Sequence, residues 1–202
     1  MAPPPRKRHS LATRLWHWVN LGSLVILFMS GLNISNAHPR LYWGEWGFAE
    51  RQAWLLVPKF PGWMTIPDHY SLTAARDWHI LFALIFAFGL TAFMLASLLN
   101  GHFRRDLATR WRDWHPASIL ADIRAHLRLD FSHAGGKFNF LQKAAYAGVI
   151  FVALPLMIFT GIVMSPGGEA LLPFLTDLFG GRQSARSLHF LAAWGLFGFL
   201  LL

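Results

Sequence analysis

The chain has 202 residues, of which 54% are hydrophobic and 14% charged, and its mean hydropathy is +0.38, a balance that excludes an ordinary soluble domain. Its net charge of +8 would suit nucleic acid, but the basic residues lie between apolar runs, so the predicted partner is membrane lipid with an anionic surface. With no cysteine, disulfides, thiolate-held iron–sulfur clusters and haem attached through Cys-x-x-Cys-His are also excluded.

Residues 1–14 read as a basic leader. The first apolar run spans about 15–34. A cleaved signal peptide ending at Ser35-Asn36-Ala37, with a mature start at His38, competes with a true span. The run exceeds a usual signal core, and His17 and Asn20 interrupt its beginning. Residues 35–75 form a connection rich in Trp and Tyr, whose prolines and glycines predict turns lying on the membrane interface. The second span covers about 78–99. The connection over 100–143 is polar and basic, and its segment Ile119 to Leu129 has the spacing of an amphipathic surface helix. The third span covers about 144–164, with Pro155 predicted to kink it. Pro166-Gly167-Gly168 and Gly180-Gly181 then predict a turn-rich loop, and the fourth span starts near 187 and is still running at Leu202. Residues 15–202 therefore read as one membrane domain, an all-α integral membrane four-helix bundle.

Charge sets the expected orientation. The leader with Arg14 carries four basic residues and no acids, and the 100–143 connection carries eight against four. The 35–77 stretch balances four against four, and the 165–186 loop two against two. The positive-inside rule then puts both ends and the 100–143 connection in the cytoplasm, with the aromatic and Gly-Gly loops outside. A weak internal echo links Ser30-Gly31, late in span one, with Thr160-Gly161, late in span three. Either duplicated helix pairs or chance similarity between apolar segments would produce it.

One phrase occurs three times at the mouth of an apolar run: Arg14-Leu15-Trp16-His17, Arg76-Asp77-Trp78-His79 and Arg186-Ser187-Leu188-His189. At spacing i, i+3 the two side chains share a helix face, with arginine one turn further out. An imidazole inside the hydrocarbon with a cation above it suits a membrane-embedded haem: histidine ligates the iron, and arginine pairs with a propionate. Singly, such residues are more often an interfacial histidine and a snorkelling anchor. Their threefold recurrence favours haem. Spans two and four run the same way, so His79 and His189 lie at one depth near the outer surface and can take both axial positions of one haem b. His17 sits near the inner surface. Its partner would be expected fourteen residues after His189, about 21 Å further in, at the first position beyond Leu202; His102 is a poor substitute. The sequence thus looks truncated inside its last helix. His38, His69, His115, His126 and His133 fall in polar loops and read as solvated. Gly22, Gly31, Gly89, Gly148, Gly161, Gly195 and Gly198 suit close helix packing or clearance of a porphyrin face.

With these residues in view, the chain resembles the di-haem cytochrome b561-like superfamily, in particular the b-type membrane subunits of formate dehydrogenases, nickel–iron hydrogenases and thiosulfate reductases. The resemblance rests on Thr13 to Trp18 with Ser30-Gly31, on Arg76 to His79, on Gly136 to Lys143 with Thr160-Gly161, and on Arg186 to His189. It implies two haems b in the full-length protein, the outer held by His79 and His189 and the inner by His17 with a histidine on the last helix. It also implies a quinone pocket beside the inner haem, with Asn139 and Gln142 as hydrogen-bonding amides, although helix capping explains those two equally well. Phe138 stands where relatives often have tyrosine. The phrases Leu41-Tyr42-Trp43-Gly44 and Gly180 to Arg186 are similar to a subgroup accompanying molybdopterin oxidoreductases.

The expected function is that of an electron-transfer subunit rather than a stand-alone enzyme. It would sit in a bacterial inner membrane with its N-terminus cytoplasmic and link a peripheral redox partner on the outer face to the quinone pool. Partner oxidation with quinone reduction is the first choice of direction, and quinol-fed reduction of the partner the second. The rival is a haem-free membrane anchor or small transporter, which would purify colourless and tolerate loss of His79 and His189.

Overall fold

A computed structural model of the chain describes residues 11–47, 49–101, 103, 109, 114–127 and 140–201. Among them, four helices are long and apolar enough to cross a membrane: Arg14–Ala37, Leu72–Leu99, Phe140–Met164 and Arg182–Leu201. The first is the body of α1 (Leu11–Ala37) and the second is α2 (Leu72–Leu99). After a surface helix, α3 (Pro116–Leu127), comes the third span: α4 (Phe140–Gly148), one turn of π-helix (Val149–Ala153) and α5 (Leu154–Met164). Two short helices, α6 (Pro166–Leu171) and α7 (Phe174–Leu178), precede the fourth span, α8 (Arg182–Leu201).

Each spanning helix begins four to six residues before its apolar run. Hydropathy marks the hydrocarbon slab, whereas a helix continues until its first N–H groups find a cap. At α2 that cap is Ser71, whose hydroxyl accepts from the Ala74 N–H at 3.4 Å. Pro155 lies in the first turn of α5 and supplies no N–H to the turn before it. The disturbance it introduces is the π-turn at Val149–Ala153. The loop expected to be turns after Met164 is instead largely helical. Pro166 starts α6 with its fixed φ, and the Ser165 hydroxyl caps it by accepting from the Gly168 N–H at 3.0 Å.

The bundle is built from two helix pairs. α1 lies antiparallel on α2: Trp16 stacks on Phe93 at 4.3 Å and donates from Nε1 to the Gly89 carbonyl at 3.1 Å, while Ser30 meets His79 at the other end. α5 packs against α8. Phe28 of α1 joins the pairs, contacting Trp194 and Phe197 of α8 at 5.2 and 4.4 Å. The polarity is that of a membrane protein. Ser23, Ser30, Asn33, Ser97, Thr160 and Ser187 are buried, while Val25, Ile80, Leu84, Phe88, Phe159 and Leu200 face outward. Lipid offers no drive to hide apolar side chains, so small and hydrogen-bonding residues hold the interior.

The connection between α1 and α2 carries an antiparallel ladder of β1 (Arg40–Leu41) with β2 (Leu55–Leu56). Two side chains near the end of α1 hold it. Asn33 donates to the carbonyls of Pro67 and His69 at 3.0 and 2.9 Å. Asn36 donates to the Phe60 carbonyl at 2.9 Å and accepts from the Phe60 N–H at 2.8 Å. Trp43, Trp46, Trp63 and Tyr70 stay exposed, as suits a bilayer interface. On the far side, the Asp122 carboxylate of α3 accepts from the Phe140 N–H at 3.1 Å, tying that surface helix to the start of α4.

Candidate functional site

The rings of His79, from the N-terminal part of α2, and His189, from the N-terminal part of α8, approach one another. Their centroids are 6.2 Å apart, with planes inclined by 56°. Each Nδ1 meets a hydroxyl on the antiparallel partner helix: Ser30 Oγ lies 3.0 Å from His79 Nδ1, and Thr160 Oγ1 lies 2.8 Å from His189 Nδ1. Each hydroxyl is followed by a glycine that supports the ring edge. A β-carbon at Gly31 would lie 3.5 Å from His79 Cε1, and one at Gly161 3.7 Å from His189 Cε1. Sequence reasoning did not assign Ser30 and Thr160 to the site. The signals that point to them are the Ser-Gly and Thr-Gly echo and their place among the motifs that carry the family resemblance.

The separation of the rings tests whether an axially ligated metal fits. Metal–imidazole bonds of about 2 Å, with each ring centre about 1.1 Å beyond its nitrogen, place two opposed rings roughly 6 Å apart. The observed 6.2 Å fits two rings sharing one metal. Among the described residues no group of three or more His, Cys, Asp or Glu could hold a metal ion. A metal held between these two imidazoles with its remaining ligands from a macrocycle would have the donor arrangement of a bis-histidine haem.

Arg76 and Arg186 stand one turn before the two histidines. Arg76 is exposed, and Arg186 is partly buried and donates to Gln183 Oε1 at 2.9 Å. His38 is exposed, as its sequence reading expects, and lies close enough to this cationic end to feel its charges. Partial desolvation lowers its pKa from the ordinary 6.5, and the charges of Arg186, Arg76 and Arg182 lower it further. Arg182 itself pairs with Glu169 at 3.2 Å and donates to the Met164 carbonyl at 2.7 Å.

His17 is not brought to this pair. It is exposed on α1 against Trp18, and thirteen residues of helix, about 20 Å, separate it from the level of Ser30. Arg14 is likewise exposed at that end. Gln142 is half-buried on α4, whereas Asn139 and His102 lie outside the described residues. Of the glycines singled out by sequence, Gly31, Gly89 and Gly161 face side chains of a neighbouring helix. A β-carbon at Gly22, Gly148, Gly195 or Gly198 would meet nothing within 4 Å, so helix packing does not account for those four.

The connection between α1 and α2 clamps the start of α8. The Gly44 carbonyl accepts from the N–H groups of Gln183 and Ser184, both at 3.1 Å, and Glu45 accepts from the Arg182 N–H at 3.2 Å. These are donors that a helix N-terminus leaves unpaired. Buried Ser187, two residues before His189, donates to the Tyr42 carbonyl at 2.7 Å and accepts from Trp54 Nε1 at 3.1 Å. The 41–44 and 180–186 phrases thus meet one another, through Gly44 with Gln183 and Ser184. Ser187→Ala leaves a buried carbonyl and an indole N–H without this partner and is expected to cost about 1–3 kcal/mol. Thermal denaturation in detergent checks this; an unchanged melting temperature counts against the clamp.

Four apolar helices with two imidazoles facing each other at one end define a membrane-spanning protein of cytochrome b type. The chain belongs to the prokaryotic cytochrome b561 family, which matches residues 8–202. It is similar to a protein of Azospira oryzae described as a proposed protein-methionine-sulfoxide reductase subunit, YedZ1. The two are 27% identical over 194 residues, covering 93% of this chain and 83% of that protein. No solved structure is matched significantly by this chain.

Proposed function

We propose that this protein is the haem b membrane subunit of an oxidoreductase, passing electrons between the quinone pool and a peripheral partner on the outer face. The observation that carries this reading is the approach of the His79 and His189 rings to 6.2 Å inside a membrane bundle. In it His79 and His189 would hold the iron of one haem, and Arg76 and Arg186 would pair with its carboxylate side chains. The haem supplies one-electron chemistry when bound; the protein's part is to hold it, orient it and exclude water. Both axial positions being taken, the site is suited to electron transfer rather than to oxygen binding.

His17 and Arg14 belong, in this proposal, to a second haem nearer the inner surface, and Asn139 and Gln142 to a quinone site beside it. The positive-inside pattern supports a cytoplasmic N-terminus in a bacterial inner membrane. The relative's description as a subunit of a reductase favours the second of the two directions read from sequence, with quinol feeding a reducible partner. A molybdopterin-dependent partner remains part of the proposal on the resemblance of the 41–44 and 180–186 phrases.

The test is a reduced-minus-oxidised visible spectrum with haem quantitation, on protein purified from haem-replete cells. A Soret band that sharpens on reduction, with about one haem per chain or more, is the expected result. A colourless preparation defeats the proposal and leaves the anchor or transporter reading in its place.

A further inference from the structure

We infer that Ser30 and Thr160 are a matched pair of positioning residues, each fixing one axial imidazole in the tautomer that turns its unprotonated Nε2 toward the metal. This rests on the haem reading above and goes beyond it by assigning the proton on each ring. A hydroxyl has one proton to give. Ser30 Oγ directs its proton into its own helix, toward the Ile26 carbonyl at 2.7 Å, with Leu27 O further off at 3.2 Å. Thr160 Oγ1 does the same toward Leu156 O at 2.6 Å, with Met157 O at 3.3 Å. With that proton committed, each oxygen can only accept in its second short contact. The shared proton therefore belongs to the imidazole, and Nδ1–H donates to Ser30 Oγ on one side and to Thr160 Oγ1 on the other. A neutral imidazole carries a single N–H, so each Nε2 keeps its lone pair for the metal.

Both hydroxyls are 0% exposed, so water does not compete for the contact. The glycine after each leaves its helix bare where the ring edge rests. Hydroxyl and glycine together seat the same Nδ1–Cε1 edge of the ring, in the same way in both halves of the bundle. The acceptor is neutral and already donates elsewhere, so it pulls on the ring proton less than a carboxylate would. It still raises the electron donation of the ligand relative to a ring with no acceptor.

The experiment compares Ser30→Ala and Thr160→Ala with the hydroxyl-keeping exchanges Ser30→Thr and Thr160→Ser. It reads haem content, midpoint potential, low-spin EPR signature and carbon monoxide uptake by the ferrous protein. Each alanine variant is expected to raise the potential and to gain carbon monoxide reactivity as one ligand loosens, while the exchanges behave as the wild type. Haem loss in an alanine variant with retention in its exchange partner supports the same conclusion. Alanine variants that match a coloured wild type in potential, EPR and carbon monoxide inertness overturn the inference alone. Equal damage in alanine and exchange variants overturns it in favour of simple packing. A colourless wild type removes the haem reading and this inference together.

Discussion

Replacing His189 with alanine is expected to abolish the haem held between α2 and α8 while leaving the protein in the membrane. The side chain sits where α8 meets α5, and its Nδ1 contact is with Thr160 at 2.8 Å. Alanine removes one axial ligand outright, and a haem held by a single imidazole loses the low-spin six-coordinate state. His79→Ala should have the same effect from the opposite side, because the two rings stand 6.2 Å apart and in the proposed site hold one centre between them. The loss is read as the fall in haem per chain and the disappearance of the low-spin spectrum, with membrane insertion checked by fractionation. His17→Ala is the discriminating control. It lies about 20 Å of helix away from the pair, so it should leave this haem's signature intact. Equal loss in His17→Ala and His189→Ala would refute a site confined to the outer pair, and an undiminished spectrum in His189→Ala would refute the site itself.

Much of this arrangement can be read from sequence because its signals are local. Long apolar runs mark the four spans, and arginine three residues before histidine places both on one helix face near a span's mouth. The depth match of His79 and His189 follows from counting crossings. What sequence does not reveal comes from contacts between distant segments. Ser30 meets His79 from 49 positions away and Thr160 meets His189 from 29, and a serine or threonine within an apolar run looks like one bonding back to its own helix. Both oxygens do bond back, and they accept from histidine as well. The helices α6 and α7 lie where Pro166, Gly167 and Gly168 signal turns, because a proline at a helix start and one in a turn look alike locally.

Gly181 is where the second large effect is expected, through the clamp that sets the start of α8. Its φ of +106° lies in a region L-residues rarely adopt, and a β-carbon there would sit 2.5 Å from the backbone of Gly44 and Glu45. Neither contact is the end of a flexible side chain, so relief requires moving the α1–α2 connection away from α8. That movement would break the bonds from Gln183 and Ser184 to Gly44 and from Arg182 to Glu45. Gly181→Val combines backbone strain with the collision and is expected to cost about 3 kcal/mol or more, or roughly 6–12 °C in melting temperature. The damage should reach the metal site, because Arg186 and His189 lie on the turns of α8 that the clamp fixes. Haem release on mild detergent challenge should therefore quicken in step with the fall in stability. Gly22→Ala is the comparison, since a β-carbon there meets nothing within 4 Å. If Gly181→Val melts and holds haem as Gly22→Ala does, the α1–α2 connection does not anchor α8, and the depth of His189 is set from within the bundle.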